Sequence, residues 1–140
     1  MLKLKPYSAS ILALGGFLLV AMGVYFIFLR PSLLPEDFLY IQITQSKIED
    51  TFPGLYTWLQ KVFWVMGAYI FTSGLLTIFI ALTSFRNRAQ GAFYIVAISG
   101  ISSIGLMTIV NFIIGSDFRI ILLIFTFPWI ISLILYRLHK

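Results

Sequence analysis

Cysteine is missing from this sequence altogether. That removes disulfides, thiolate catalysis, iron–sulfur clusters and zinc–thiolate sites, and leaves the redox compartment unread. Histidine is almost as scarce: the single copy, His139, lies outside every long apolar run. An axial-histidine haem would have only that residue to use, and a short basic stretch beside lipid headgroups accounts for it better. Charge is the third shortage. Charged residues make up 11% of the chain, against roughly 25% in soluble domains.

Four long runs contain no charged residue: Ile11 to Leu29, Val62 to Leu82, Ala92 to Ile114 and Ile120 to Tyr136. Proton or cation coupling normally relies on an acid or histidine at membrane depth. None is available in these runs, and the glutamate that a small four-helix proton-coupled exporter carries in its first helix is absent from the first. The many serines have no histidine, lysine or carboxylate in the runs to activate them, so a nucleophile–base pair is not expected. The acidic pairs Glu36-Asp37 and Glu49-Asp50 lack the alternating Asp/Asn-Gly pattern of a calcium loop. Helix-end electrostatics and solubility explain them better. No filter-like glycine-rich segment and no internal duplication stand out, so channel-filter and inverted-repeat transporter architectures lack support. No cofactor and no metal are expected.

What is present is hydrocarbon: 60% of the residues are apolar and 17% aromatic, with a mean hydropathy of +0.99. Crossing the apolar core of a bilayer takes about 20 such residues. The four runs therefore predict transmembrane helices at about 11–29, 62–82, 92–114 and 120–136. The first run is too long for a signal-peptide core and no small-x-small cleavage pattern follows it, so it reads as a retained helix. The net charge of +5 comes from basic residues scattered singly at run ends. That is membrane flanking and not a track for nucleic acid.

With four spans, Lys3, Lys5, Arg86, Arg88, Arg137 and Lys140 share one side, without an acid. Arg30, Lys47, Lys61 and Arg119 share the other with all five acids, Glu36, Asp37, Glu49, Asp50 and Asp117. The positive-inside bias predicts cytoplasmic N and C termini. Tyr56, Trp58 and Trp64 then fall near the outer interface, and Tyr7, Tyr94 and Tyr136 near the inner one. The turns at 85–90 and 115–118 are short, which predicts that helices 2–3 and 3–4 are antiparallel neighbours.

The connection from Arg30 to Lys61 is much longer. Ser32-Leu33-Leu34-Pro35-Glu36-Asp37 reads as a helix start, with Pro35 in the first turn and two acids at the positive end. A short surface helix or an extended segment lying on the membrane is expected there. The recurrence of Ile48, Phe52, Leu55, Leu59 and Val62 predicts a further amphipathic stretch, interrupted at Pro53-Gly54, before the second span. Within the loop, Glu36, Asp37 and Trp58 are candidate contact residues.

Small residues recur at heptad spacing: Gly16 and Gly23 in the first span, Gly67, Gly74 and Ala81 in the second. They suit either a dimerisation seam or close packing of helix 1 on helix 2 within one chain, the latter being favoured because four helices must already pack together. A rise of 1.5 Å per residue puts Thr77, Ser99 and Trp129 at similar depths, with Thr72, Ser73, Ser102 and Ser103 about a turn deeper. Thr77, Ser99, Ser102, Ser103 and Trp129 thus form a candidate midplane polar pocket for a small neutral or lipid-like molecule. The plainer alternative has these hydroxyls bonded to their own helices. Asn111, near the outer end of the third span, could line a vestibule with Thr108 and Asp117 but reads better as an interfacial hydrogen-bonding residue.

The stretches Arg30–Ile41 (RPSLLPEDFLYI) and Phe52–Leu76 (FPGLYTWLQKVFWVMGAYIFTSGLL) resemble a pattern in small uncharacterised bacterial four-helix membrane proteins. Leu34-Pro35-Glu36-Asp37 is the most specific part. The resemblance implies a bacterial inner (plasma) membrane and no particular activity. A looser likeness to DoxX-like four-helix proteins rests on helix number and length, and neither likeness supplies functional residues.

The sequence therefore predicts an all-α, antiparallel four-helix membrane bundle forming one domain over residues 1–140, with an amphipathic outer loop. The expected function is that of a non-enzymatic accessory or interaction subunit. Its expected partners are the lipid bilayer and either another membrane protein or a second copy of itself, with no nucleic acid. Two alternatives are a carrier or channel for a small neutral or lipid-like solute, and a quinone-binding redox component near Trp129.

Overall fold

In a lipid environment each backbone N–H and C=O must find its partner within the chain, and a helix satisfies nearly all of them locally. The computed structural model describes residues 5–138, and among these every regular element is helical. The expectations placed on Lys3, His139 and Lys140 lie outside the described residues. Helix α1 covers Lys5–Phe28, followed by the short helices α2 (Pro35–Ile41) and α3 (Gln45–Thr51). Helix α4 (Leu55–Ile80) runs on into a π-helical turn, Ala81–Phe85. The third long stretch is α5 (Ala92–Gly100), a second π-helical turn (Ile101–Gly105) and α6 (Leu106–Ile113), and α7 covers Arg119–Leu138.

Four stretches are long and apolar enough to cross a membrane: Tyr7–Phe28, Leu55–Phe85, Ala92–Ile113 and Arg119–Leu138. Only 39% of the first and 17% of the last is enclosed by the protein. The chain thus turns most of its apolar surface outward, where only an apolar solvent leaves it at no cost. The second helix starts at Leu55, well before the uncharged run that begins at Val62. Lys61 lies within it and stacks its ammonium 3.6 Å from the centroid of the Trp64 ring. A lysine near a helix end keeps its stem on apolar surface and its charge toward water, so it does not end the helix.

Helix α1 is the hub. It packs along α4 and along α7, while the third stretch packs on α7. The α1–α4 seam is made by glycines. A Cβ on Gly23 would lie 2.6 Å from the backbone nitrogen of Phe71, and one on Gly74 would lie 2.7 Å from the carbonyl oxygen of Gly16. A Cβ on Gly67 would meet the Gly23 carbonyl at 2.9 Å. The contacts run in reverse order along the two helices, Gly16 against Gly74 and Gly23 against Gly67. Ala81, fully buried, continues this line, and α1 also packs on the π-helical turn that contains it. Gly16, Gly23, Gly67, Gly74 and Ala81 therefore sit inside the chain's own core. Such close approach gains dispersion where lipid removes the hydrophobic incentive to associate.

Helices 2 and 3 do not pack as their short linker suggests. Despite that turn, α4 and α5 approach each other chiefly near the linker itself. A short connection constrains only the ends it joins, and the bodies of the two helices are positioned by α1 and α7. At the linker, the Phe85 and Tyr136 rings lie 4.5 Å apart, and Arg88 donates to the Tyr136 carbonyl at 2.9 Å.

Gly23→Ala tests the seam. The added methyl meets backbone that cannot swing aside, so the variant should lose about 1–3 kcal/mol of stability and melt at lower temperature in detergent. Gly54→Ala is the matched control, because Gly54 is in helical conformation with nothing within 4 Å of a built Cβ. Equal melting of the two variants would show that the seam is not limited by backbone contact.

Candidate functional site

The divergence of α4 from α5 leaves a cleft of about 200 Å³ between them. Thr77 and Val96 are its buried parts, and Ser73, Ile80, Ser99 and Ser103 are half-buried. Leu76 and Ser102, both exposed, also line it, so the cleft opens sideways from the bundle. No ionisable side chain lines it. Counted from the linker at 1.5 Å per residue, the hydroxyls lie about 10–18 Å along the helices, near the middle of an apolar layer about 30 Å thick.

Each cleft hydroxyl donates to a carbonyl of its own helix. Ser73 bonds the Tyr69 carbonyl at 2.8 Å and Thr77 that of Ser73 at 2.8 Å. On the facing helix, Ser99 bonds the Val96 carbonyl at 3.0 Å, Ser102 that of Ile98 at 2.8 Å, and Ser103 that of Ser99. Side-chain donors that compete for helix carbonyls loosen the regular ladder. Here the ladder slips: the Leu106 N–H reaches back five residues to Ile101 within the π-helical turn that holds Ser102 and Ser103. Such turns occur often at functional positions.

Trp129 does not line this cleft. It is buried, with its ring set between two other helices: a Cβ on Gly15 would lie 2.6 Å from it, and one on Gly100 would lie 2.5 Å from it. Its indole N–H has no hydrogen-bond partner among the described residues. The sequence-predicted pocket thus divides. Thr77, Ser99, Ser102 and Ser103 meet across the cleft, together with Ser73, whereas Trp129 anchors α7 to α1 and α5. Gly15 and Gly100 were not singled out as its partners, and their only signal in the sequence is smallness at a depth similar to that of the ring. Asn111 bonds the Met107 carbonyl at 2.9 Å and Thr108 that of Ile104 at 2.7 Å, each on its own helix.

The segment between α1 and α4 forms a second built region. Pro35 starts α2, and the Asp37 carboxylate accepts the Leu34 N–H at 2.8 Å, satisfying one of the helix's open donors. Arg30 ties the start of this segment to the bundle: its guanidinium lies 3.5 Å from the Phe63 ring centroid and 3.7 Å from the Asp37 carboxylate. Burial pushes the Arg30 pKa below its ordinary value, while Asp37, Tyr25 and Glu36 act in the opposite direction. Ser32 donates to the Tyr56 carbonyl at 2.8 Å. Glu36 is buried and accepts the hydroxyl of Ser116, also buried, at 3.1 Å. That bond joins α2 to the turn between α6 and α7. Ile48 of α3 is buried as well. The result is a cap over one end of the bundle. Trp58, by contrast, is exposed, so Glu36 and Asp37 are holding groups while Trp58 faces outward. Ser116 carries no motif and was missed; only its place in a turn hinted at it.

The cap and the cleft use different chemistry: the cap is pinned by charged and aromatic groups, the cleft is uncharged. No family model, curated protein or solved structure matches this chain.

Ser116→Ala should release the cap. Losing the hydroxyl leaves a buried carboxylate without its partner, a cost of about 1–3 kcal/mol. Amide hydrogen exchange over residues 35–51 should accelerate in the variant while the α1–α4 seam keeps its protection. Unchanged exchange in the cap would show that the Ser116–Glu36 bond does not hold it.

Proposed function

We propose that this chain is a non-enzymatic interaction subunit of the bacterial inner membrane. It would be an antiparallel four-helix bundle with both termini in the cytoplasm, contacting a partner membrane protein or a second copy of itself through its outer cap. The observation that carries this reading is the cap itself. A mere connector needs no internal structure, yet this segment is folded, held to α4 and to the α6–α7 turn by three side-chain contacts, and turns large apolar side chains outward. Leu39 is 80% exposed and Tyr40 and Phe52 are each more than half exposed, as is Trp58 in the adjoining first turn of α4. Fixing such groups in place before binding lowers the ordering cost that association must overcome, and aromatic side chains are common anchors of interfaces. The lack of any carboxylate, lysine, arginine, histidine or cysteine in the four apolar runs supports a role without catalysis.

A second reading, a binder or carrier of a small uncharged lipid-like molecule, draws its support from the cleft between α4 and α5. A quinone held by Trp129 has less support, because that ring is enclosed by Gly15 and Gly100.

Purification in mild detergent tests the interaction reading. The wild-type chain should emerge with a stoichiometric protein partner or as a defined oligomer. Leu39→Glu should dissociate that assembly while leaving the helical content and melting temperature unchanged, because the side chain supports nothing inside the cap. A wild-type chain that is monomeric and partnerless would overturn the proposal, as would an assembly indifferent to Leu39→Glu and Trp58→Glu together.

A further inference from the structure

A carbonyl oxygen can only accept a hydrogen bond, so a serine or threonine bonded to one must be the donor. This settles the polarity of the cleft between α4 and α5. Ser73, Thr77, Ser99, Ser102 and Ser103 have each committed their single hydrogen to a carbonyl of their own helix. In every side-chain hydrogen bond of these five described residues the hydroxyl is the donor and never the acceptor. What the cleft presents is therefore a set of hydroxyl lone pairs, with no donor and no charge, among Leu76, Ile80 and Val96. Such a surface is polar in one sense only. With these bonds in place it receives a hydrogen and gives none.

We propose that this cleft binds an uncharged, membrane-dissolved alcohol whose hydroxyl donates its one hydrogen to an oxygen among Thr77, Ser99 and Ser103 while its apolar body lies against Val96 and Ile80. The selectivity follows from the donor count. Ketones, quinones, esters and ethers bring only acceptors and would set lone pair against lone pair. A charged headgroup finds no counter-charge at this depth. The size agrees: about 200 Å³ exceeds the roughly 150 Å³ cavity that holds a benzene molecule. It takes a hydroxyl-bearing ring or short chain segment, and the rest of the molecule leaves through the side that Leu76 and Ser102 border. Entry from the lipid needs no opening of the bundle, because the two helices are already apart. The inference does not rest on the interaction reading above, since the cap takes no part in it.

The test uses the full chain in nanodiscs and a long-chain alcohol carrying a photoreactive diazirine, with its methyl ether as the matched probe. Labelling by the alcohol should map to residues 73–80 and 96–103 and should exceed that by the ether about tenfold, the factor for one lost hydrogen bond of about 1.4 kcal/mol. The triple variant Thr77→Val, Ser99→Ala, Ser103→Ala nearly keeps the volume, raises helix propensity at the two serines, and should bring the two probes to parity. Ser99→Leu fills the cleft and should abolish labelling by both. Equal labelling of the wild type by alcohol and ether would overturn the proposal by showing an apolar groove only. Labelling that maps elsewhere, or that survives Ser99→Leu, would overturn it too. Circular dichroism and melting in the same nanodiscs confirm that each variant is folded, and Ser99→Ala alone serves if the triple variant is not. None of these readouts involves a protein partner, so the two proposals fail separately.

Discussion

The backbone of α1 lies directly against that of α4, and the rest of the architecture depends on that contact. Glycines at 16, 23, 67 and 74 bring the two helices so close that a single methyl on any of them would collide with main chain or with a side chain's root. In lipid there is no hydrophobic reward for burying one apolar helix against another, so attraction falls to dispersion, which decays steeply with separation. A seam without side chains is the way to make it strong. Once α1 and α4 are joined, α7 takes the remaining face of α1, and Trp129 keys into the gaps left by Gly15 and Gly100 to bring the third stretch along.

The cleft is a consequence of that arrangement. Helix α4 is held by α1, and α5 is held by α7. The linker between them governs only its own neighbourhood, where Phe85, Phe93 and Tyr136 cluster with Arg88 and Arg137 above their rings. Further along, the helices separate and their hydroxyls face a shared space without bonding across it. Each hydroxyl instead turns to its own helix, which satisfies its donor and leaves its acceptor capacity unused. Local satisfaction of donors and the one-sided polarity of the cleft are the same fact.

At the other end, charge does what glycine does in the seam. Arg30, Asp37 and Glu36 are partly or largely buried, and each is held by a named partner: an aromatic face, a helix N-terminus, a serine hydroxyl. A buried polar group without a partner costs more than an apolar one in its place. These bonds therefore specify where the cap sits. Its outward residues, Leu39, Tyr40 and Phe52, are placed by that framework and are largely exposed, as is Trp58 beside them on α4.

The four spans were legible in the sequence because crossing hydrocarbon imposes a length and excludes charge, and both can be counted. Depth was legible as well, since every residue advances a helix by a fixed rise; this is how Thr77, Ser99 and Ser103 were grouped. Direction around the bundle was not. These helices are apolar on most sides, so no amphipathic stripe says which neighbour a residue faces, and Trp129, assigned to the cleft by depth, belongs to the core. Neighbour order was hidden for the same reason: a short turn between helices 2 and 3 suggested packing that α1 and α7 override. Composition and run length by themselves determined that four helices are built to lie in an apolar medium. Only the tertiary structure decided which of them touch, where a gap remains, and that Ser116 holds Glu36, because those outcomes depend on side chains meeting from positions far apart in the chain.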